Sequence, residues 1–317
     1  MTPEQILAYI RNDKVKKVIH DGDFSAEIDD QFTSTYCIGS DKMEVLGVLA
    51  SAYYEEPNAV NTEEVMLWSY EEIRKVFRIL GIGEDEIPVF EGARSQISNN
   101  PDFAPSDSPA ARFIIEKVKE MPDGEPLFVL VTGPCTNVVS ACLIDPSIRE
   151  KIVVLWLGGD NISDIPEENK PFHEWNLYAD YAASQILLSS DIPLLMLPCG
   201  PDGSSDIRAV AADFDRIAGE GEGAELFRSE MPLRECRKKE TYRTTWNKAM
   251  CDFAAPAALS VPDAMQYRII PAPLMGEDHR YALDRTRRKI LVGDRPSSQP
   301  IVDDAFAAIS RVTDRKH

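Results

Sequence analysis

No apolar run in this 317-residue sequence approaches the roughly 20 residues that a bilayer-spanning helix needs, so no membrane segment is expected. Cysteine is sparse. Cys37, Cys135, Cys142, Cys199, Cys236 and Cys251 are scattered and contain no CxxC, which reads as reduced thiols of a cytoplasmic protein rather than a disulfide framework. Histidine is sparser still, and four scattered residues argue against a zinc site. Basic residues are outnumbered: 34 Lys and Arg face 53 Asp and Glu, a net charge of −19. That balance excludes nucleic-acid backbones and anionic membranes as partners. No linker, charge block, repeat or low-complexity stretch divides the chain, so residues 1–317 read as one domain. Residues 1–14 form a helical extension to it. There Thr2-Pro3-Glu4-Gln5 makes a capping box in front of a helix through Ile10, not a signal peptide.

What the chain does have is acid in an unusual place. Lys17 to Asp30 opens on the β-branched pair Val18-Ile19, then carries Asp21, Asp23, Glu27, Asp29 and Asp30, and passes into a helical pattern through Ile38. A strand turning into a helix sets such residues at the carboxyl edge of a parallel sheet, where open α/β folds bind ligands. Carboxylates crowded on one turn repel one another unless a cation sits among them, and a hard ion with oxygen ligands, Ca²⁺ or Mg²⁺, suits them. Helix capping alone accounts for Asp29 and Asp30, but not for Asp21 and Asp23.

Further strands are expected at Met43 to Ala50, Ile87 to Phe90, Leu127 to Thr132, Lys151 to Leu157, Pro193 to Leu197, Arg268 to Ile270 and Lys289 to Val292. Helices are expected over Val65 to Leu80, Ala110 to Val118, Asn137 to Leu143, Tyr178 to Ser189 and from Val302 onward. Ile207 to Phe227 reads as a helix broken by Gly219 to Gly223, and Trp246 to Leu259 as a helix kinked at Pro256. Gly92 to Ser108 reads as a long loop. The alternation predicts an α/β fold, an open, doubly wound, mostly parallel sheet flanked by helices.

Three later features can reach the acidic edge. Thr132 ends a central strand before Gly133, although strand-end threonines need no ligand. His173-Glu174-Trp175-Asn176 offers an acceptor, an amide and an aromatic plane, the set that a sugar needs; the plainer reading makes Glu174 a helix cap and Trp175 core. Asp252 is a lone carboxylate in the apolar run Met250 to Ala255, expensive to bury unless paired or on a metal.

With these residues in view, the sequence resembles the nucleoside hydrolases, the calcium-dependent ribohydrolases. Asp21-x-Asp23 followed by Asp29-Asp30 resembles their Asp-rich signature, with a connecting turn two residues longer. Pro88 to Ala93, Val131 to Asn137, Leu157-Gly158-Gly159, Glu174 to Ala183 and Cys251 to Ala255 resemble further blocks in the family's order. The resemblance implies a Ca²⁺ site of Asp23, Asp30, Asp252 and the Thr132 carbonyl. It implies ribose binding by Asp29, Asn169, Glu174 and Asn176, with Trp175 beside them, and water attack on the anomeric carbon with Asp23 as general base. The expected partner is a small nucleoside-like substrate, and the expected state a homodimer or homotetramer. Two departures stand out. Cys251 replaces the histidine that commonly protonates the leaving base, and Ser51 to Tyr54 replaces a glycine-asparagine turn. Two other readings remain open at this point. One is a haloacid-dehalogenase-like phosphatase built on Asp21-Gly22-Asp23, Thr132, Asp160 and Asp164. The other is a non-catalytic metal and sugar binder.

Overall fold

The computed structural model describes residues 1–53, 62–160, 174–276, 281–282 and 284–315. One eight-stranded sheet runs through it. Its strands are β1 (Lys16–Gly22), β2 (Met43–Ala50), β3 (Val89–Phe90), β4 (Leu127–Val131), β5 (Ile152–Leu157), β6 (Leu194–Leu197), β7 (Gln266–Pro271) and β8 (Lys289–Asp294). They lie in the order β3-β2-β1-β4-β5-β6-β8-β7, every neighbouring pair parallel except β8 with β7. The mostly parallel, doubly wound sheet expected from the sequence is therefore present.

Alternation along the strands builds two apolar layers. Val18, Val48, Phe128, Leu130, Val153 and Leu155 face one way, and Ile19, Leu49, Val129, Val131, Val154 and Trp156 the other, all fully buried. The first layer takes α1 (Pro3–Ile10), α2 (Asp29–Gly39), α3 (Thr62–Ile79), and later α8 (Ala254–Ser260) and α9 (Ser298–Thr313). The second takes α4 (Pro109–Glu120), α5 (Thr136–Ile144) and α7 (Tyr181–Ser189). The Thr2–Gln5 capping box forms at α1 as expected. Because β1 has β2 on one side and β4 on the other, chain order reverses there, and the crevice beyond its carboxyl end is the usual ligand position in such sheets.

Two helical expectations fail. Within 207–227, Arg208–Val210 is a strand paired with Asn247–Ala249, followed by short helical turns at Ala211–Phe214 and Glu222–Glu225. Gly219 and Gly221, both at positive φ, supply the bend between those turns. Within 246–259, the Asn247–Ala249 strand leads to a 3₁₀ turn at Cys251–Phe253 and then to α8. Pro256 does not kink α8, because it sits in the first turn, where its missing N–H has no helical partner. The expected helix at 178–189 starts earlier, as α6 (Trp175–Ala179), and restarts as α7 after Asp180.

α2 is buried along nearly its whole length and ends against α9, where a Cβ on Gly39 would fall on the Ala308 carbonyl. Gly39→Ala should therefore lower stability by about 1–3 kcal/mol through overpacking, read as a fall in thermal midpoint.

Candidate active site

At its carboxyl end β1 is held between its neighbours: Thr132 donates its N–H to the Asp21 carbonyl at 2.9 Å, and Ser51 to the Gly22 carbonyl at 2.8 Å. The following turn delivers Asp29 and Asp30 to the first turn of α2, where the helix dipole favours acid. The 3₁₀ turn at 251–253 brings Asp252 to the same place. Asp21, Asp23, Asp29, Asp30 and Asp252 are all buried, with Glu174 beside them.

These acids touch. Asp30 is hydrogen-bonded to Asp23 on one side and to Asp252 on the other. Two carboxyl groups share a hydrogen bond only if one keeps a proton. The electrostatics agree. Burial and the Asp29 charge push Asp30 up to about 7. Burial and the Asp30 charge raise Asp23, and burial with the charges of Asp29, Asp30 and Asp23 raises Asp252. Burial likewise lifts Asp21 to about 7, against a 2.9 Å hydrogen bond from Asn137 Nδ2. Among the described residues, no three His, Cys, Asp or Glu side chains are arranged around a point that would hold a metal ion.

Neutral dipoles fix Asp30. Thr132 Oγ1 donates to Asp30 Oδ1 at 2.6 Å. His20 meets Thr132 Oγ1 through Nε2 at 2.8 Å and Ser34 Oγ through Nδ1 at 2.6 Å. With the threonine proton on Asp30, His20 must donate from Nε2 and accept from Ser34 at Nδ1. Burial drives its pKa down to about 3, so the ring is neutral, as that relay requires. Gly22 permits the approach, since a Cβ there would lie 2.5 Å from Asp30 Oδ1.

Around this centre, Glu174 accepts the N–H groups of Gly159, Asn176 and Leu177 at 2.7, 3.0 and 3.0 Å. It is thus the cap of α6, as the plainer reading had it. Trp175 is not core: it is 55% exposed at the rim. Asn176 Nδ2 donates to the carbonyls of Thr132 and Leu157 at 2.8 and 2.9 Å, stitching β4 to β5 and leaving its Oδ1 for another partner. Cys251 is half-buried, and burial with the Asp29 charge pushes its thiol up to about 12, opposed by Lys248. Asn169, His173, Tyr54 and Asp164 lie outside the described residues.

Sequence reasoning missed Lys248, His20, Asn137 and Asp180. Lys248 Nζ is 3.5 Å from Asp29 Oδ1. The signal for His20 was its place inside an apolar strand next to the acids. Asp180 caps α7 and also accepts from Ile97, Ser98 and Thr136, so it fastens the 92–108 loop beside the site.

Several known proteins are similar to this chain. A pyrimidine-specific ribonucleoside hydrolase of Citrobacter koseri is 25% identical over 216 residues, covering 61% of this chain and 63% of that protein. Its counterpart from Salmonella arizonae is 26% identical over the same shares. The aligned part thus spans less than two thirds of the length of these curated relatives. Among solved structures, the purine-preferring ribonucleoside hydrolase from Gardnerella vaginalis superposes with a TM-score of 0.69 at 20% identity, over 94% of this chain and 99% of that one. An inosine-guanosine nucleoside hydrolase gives 0.68 at 16% identity, over 93% and 98%. Both show the same fold. The family described as inosine-uridine preferring nucleoside hydrolase matches residues 18–284, from within β1 to just short of β8. Since that span takes in the acidic turn, the Asp252 turn and seven of the eight strands of the sheet, the chain belongs to the nucleoside hydrolase family.

Proposed function

We propose that this protein hydrolyses the N-glycosidic bond of ribonucleosides, with Asp23 as general base. The observation that carries the reading is the hydrogen-bonded run Asp23–Asp30–Asp252, in which two acids of the first turn meet a third from a distant segment at the sheet's switch point. The chemistry of the donors, though not their present arrangement around a single point, suits a hard divalent ion: buried oxygen ligands with repelling charges and raised pKa values, which a cation would relieve. We assign Asp23, Asp30, Asp252 and the Thr132 carbonyl to hold it, and Ca²⁺ as the ion. Bound there, the ion would lower the pKa of a water and supply a nucleophile near neutral pH.

The chain's own residues do the rest. Asp23 takes the proton from the attacking water. Asp29 accepts from a ribose hydroxyl, and Asn176, both amide hydrogens already committed, accepts from another through Oδ1. Glu174, pinned by three backbone donors, keeps a fixed carboxylate beside the sugar. Aligned negative groups stabilise the oxocarbenium-like charge that develops as the C–N bond breaks. Cys251 stays protonated and lines the leaving-group side, and S–H is a weak donor. The phosphatase reading would leave Asp29, Asp30, Asn176 and Asp252 without a role.

Three outcomes test this. Incubated with nucleosides and Ca²⁺, the protein should release free ribose, and Asp23→Asn should cut kcat by at least about 100-fold, the scale of general-base catalysis. Phosphate release from a phosphomonoester with no sugar release would reverse the assignment. A second outcome concerns pH. The buried acids have folded-state pKa values above the unfolded ones, so the metal-free protein should lose stability as pH rises from about 5 to about 8, through the folded values near 7. Ca²⁺ should then raise the thermal midpoint more at the upper pH, and Asp252→Ala should abolish that gain. Third, Cys251→Ala should keep kcat/KM within about threefold on both good and poor leaving groups; a selective collapse on poor ones would make the thiol the acid.

A further inference from the structure

Lys248 is the unexpected cation of this site. It lies on the three-residue strand Asn247–Ala249, and pairing with Arg208–Val210 sets its side chain inward, 8% exposed, while Asn247 faces out. Three carboxylates surround its ammonium: Glu27 in direct contact, Asp29 at 3.5 Å and Glu235 at 3.8 Å. Burial works against the charge, but these three acids outweigh it and raise the lysine pKa, so it is a fixed cation. Arg237 also acts on Glu235 from outside, and Cys251 feels both Lys248 and Asp29.

The partners come from informative places. Glu27 belongs to Phe24–Ile28, the segment that makes the acidic turn two residues longer than the family pattern. Its side chain is 61% exposed, yet it reaches the nearly buried lysine. Glu235 ends the helical turn Met231–Glu235 across the rim. One ammonium therefore joins the lengthened turn, the 231–235 segment and the strand that precedes the Asp252 turn. Asp29 is the one member of the cage that also belongs to the buried acid cluster.

We propose that Lys248 is a positioning residue for sugar recognition: held by Glu27 and Glu235, it fixes the Asp29 carboxylate in the orientation that binds a ribose hydroxyl. The inference rests on the ribonucleoside reading given above. A buried Asp crowded by other acids has every reason to turn away from them, which would cost its acceptor role. The ammonium, 3.5 Å from Asp29 Oδ1, holds it in place without touching substrate. The lengthened turn and the lysine are then one device, since Glu27 completes the cage that keeps Lys248 from swinging out toward solvent.

The test is steady-state kinetics of the full chain with Ca²⁺, on a ribonucleoside and its 2′-deoxy analogue, for wild type, Lys248→Met, Lys248→Arg and Glu27→Gln. Lys248→Met should raise KM for the ribonucleoside about tenfold or more, with kcat within about threefold, the pattern of lost binding rather than lost chemistry. Its preference for ribo over deoxyribo substrate should shrink by a similar factor. Lys248→Arg should restore most of both, and Glu27→Gln should move both the same way by less. Circular dichroism on each variant separates these effects from misfolding; if Lys248→Met does not fold, Glu27→Gln and Lys248→Arg carry the comparison. An active wild type whose variants keep KM and ribose preference, or lose kcat alone, overturns the positioning role and leaves the function standing. A wild type that neither binds nor cleaves any ribonucleoside overturns both.

Discussion

Charge repulsion in a dry sheet edge is the constraint on which this structure depends. Asp21, Asp23, Asp29, Asp30, Asp252 and Glu174 are buried within one crevice, and burial is the leading cause of the raised pKa of every one of them. Removing an ionised carboxylate from water costs several kcal/mol after relaxation, and like charges at contact add to that cost. No folded chain keeps such a cluster without neutralising it by protons, a cation or fixed dipoles. Here all three terms have named groups. Protons are shared along Asp23–Asp30–Asp252, Lys248 offsets Asp29, and Asn137, Thr132 and backbone N–H groups meet Asp21, Asp30 and Glu174.

The fold supplies the rigidity that such a cluster needs. Each acid sits at the end of an element anchored in one of the two apolar layers, so relaxation by moving apart would break packing. The helix α2 cannot slide, because its far end lies against α9 at Gly39. The strand β1 cannot withdraw, because β2 and β4 hold its last carbonyls. Asp30 cannot rotate freely, because Thr132, His20 and Ser34 form a hydrogen-bonded line behind it. Preorganised groups of this kind spend no energy on reorientation during a reaction, which is the main source of electrostatic catalysis. The cost is local instability, offset by the core.

Much of this was legible in the sequence wherever a residue contradicted its surroundings. Asp21 and Asp23 follow a β-branched strand, and Asp252 interrupts an apolar run, so each announced a compensating partner. The sheet strands were legible because burial on both faces leaves near-continuous apolar runs. What escaped depends on pairing between distant segments. Lys248 lies in the polar stretch Trp246 to Ala249, which by itself reads as a solvated helix start. Only its pairing with Arg208–Val210, itself misread as helix, makes it a strand with one side chain turned inward. Two three-residue strands forty residues apart carry too little local propensity to be seen. Glu174 was ambiguous for a different reason: capping a helix and facing a ligand demand the same residue at the same place, and the structure has it capping.

The cysteine at 251 belongs with the lysine at 248. The family pattern puts a histidine next to the late aspartate, and an imidazole among Asp29, Asp30 and Asp252 would carry a proton and act as a cationic acid. A thiol pushed up to about 12 stays neutral, so it adds no positive charge and releases its proton reluctantly. Positive charge at this side of the crevice then falls to Lys248. That ammonium is bound to three carboxylates that raise its pKa, which makes it a good electrostatic partner and a poor proton donor. On the proposed reading, the chain has thus separated two duties that one histidine combines, keeping charge balance while weakening proton delivery. If the proposed function holds, a crevice built this way would favour substrates whose departing base needs little protonation, and the burden of bond breaking would shift to the sugar side, where Asp29, Asn176 and Glu174 are held by their partners.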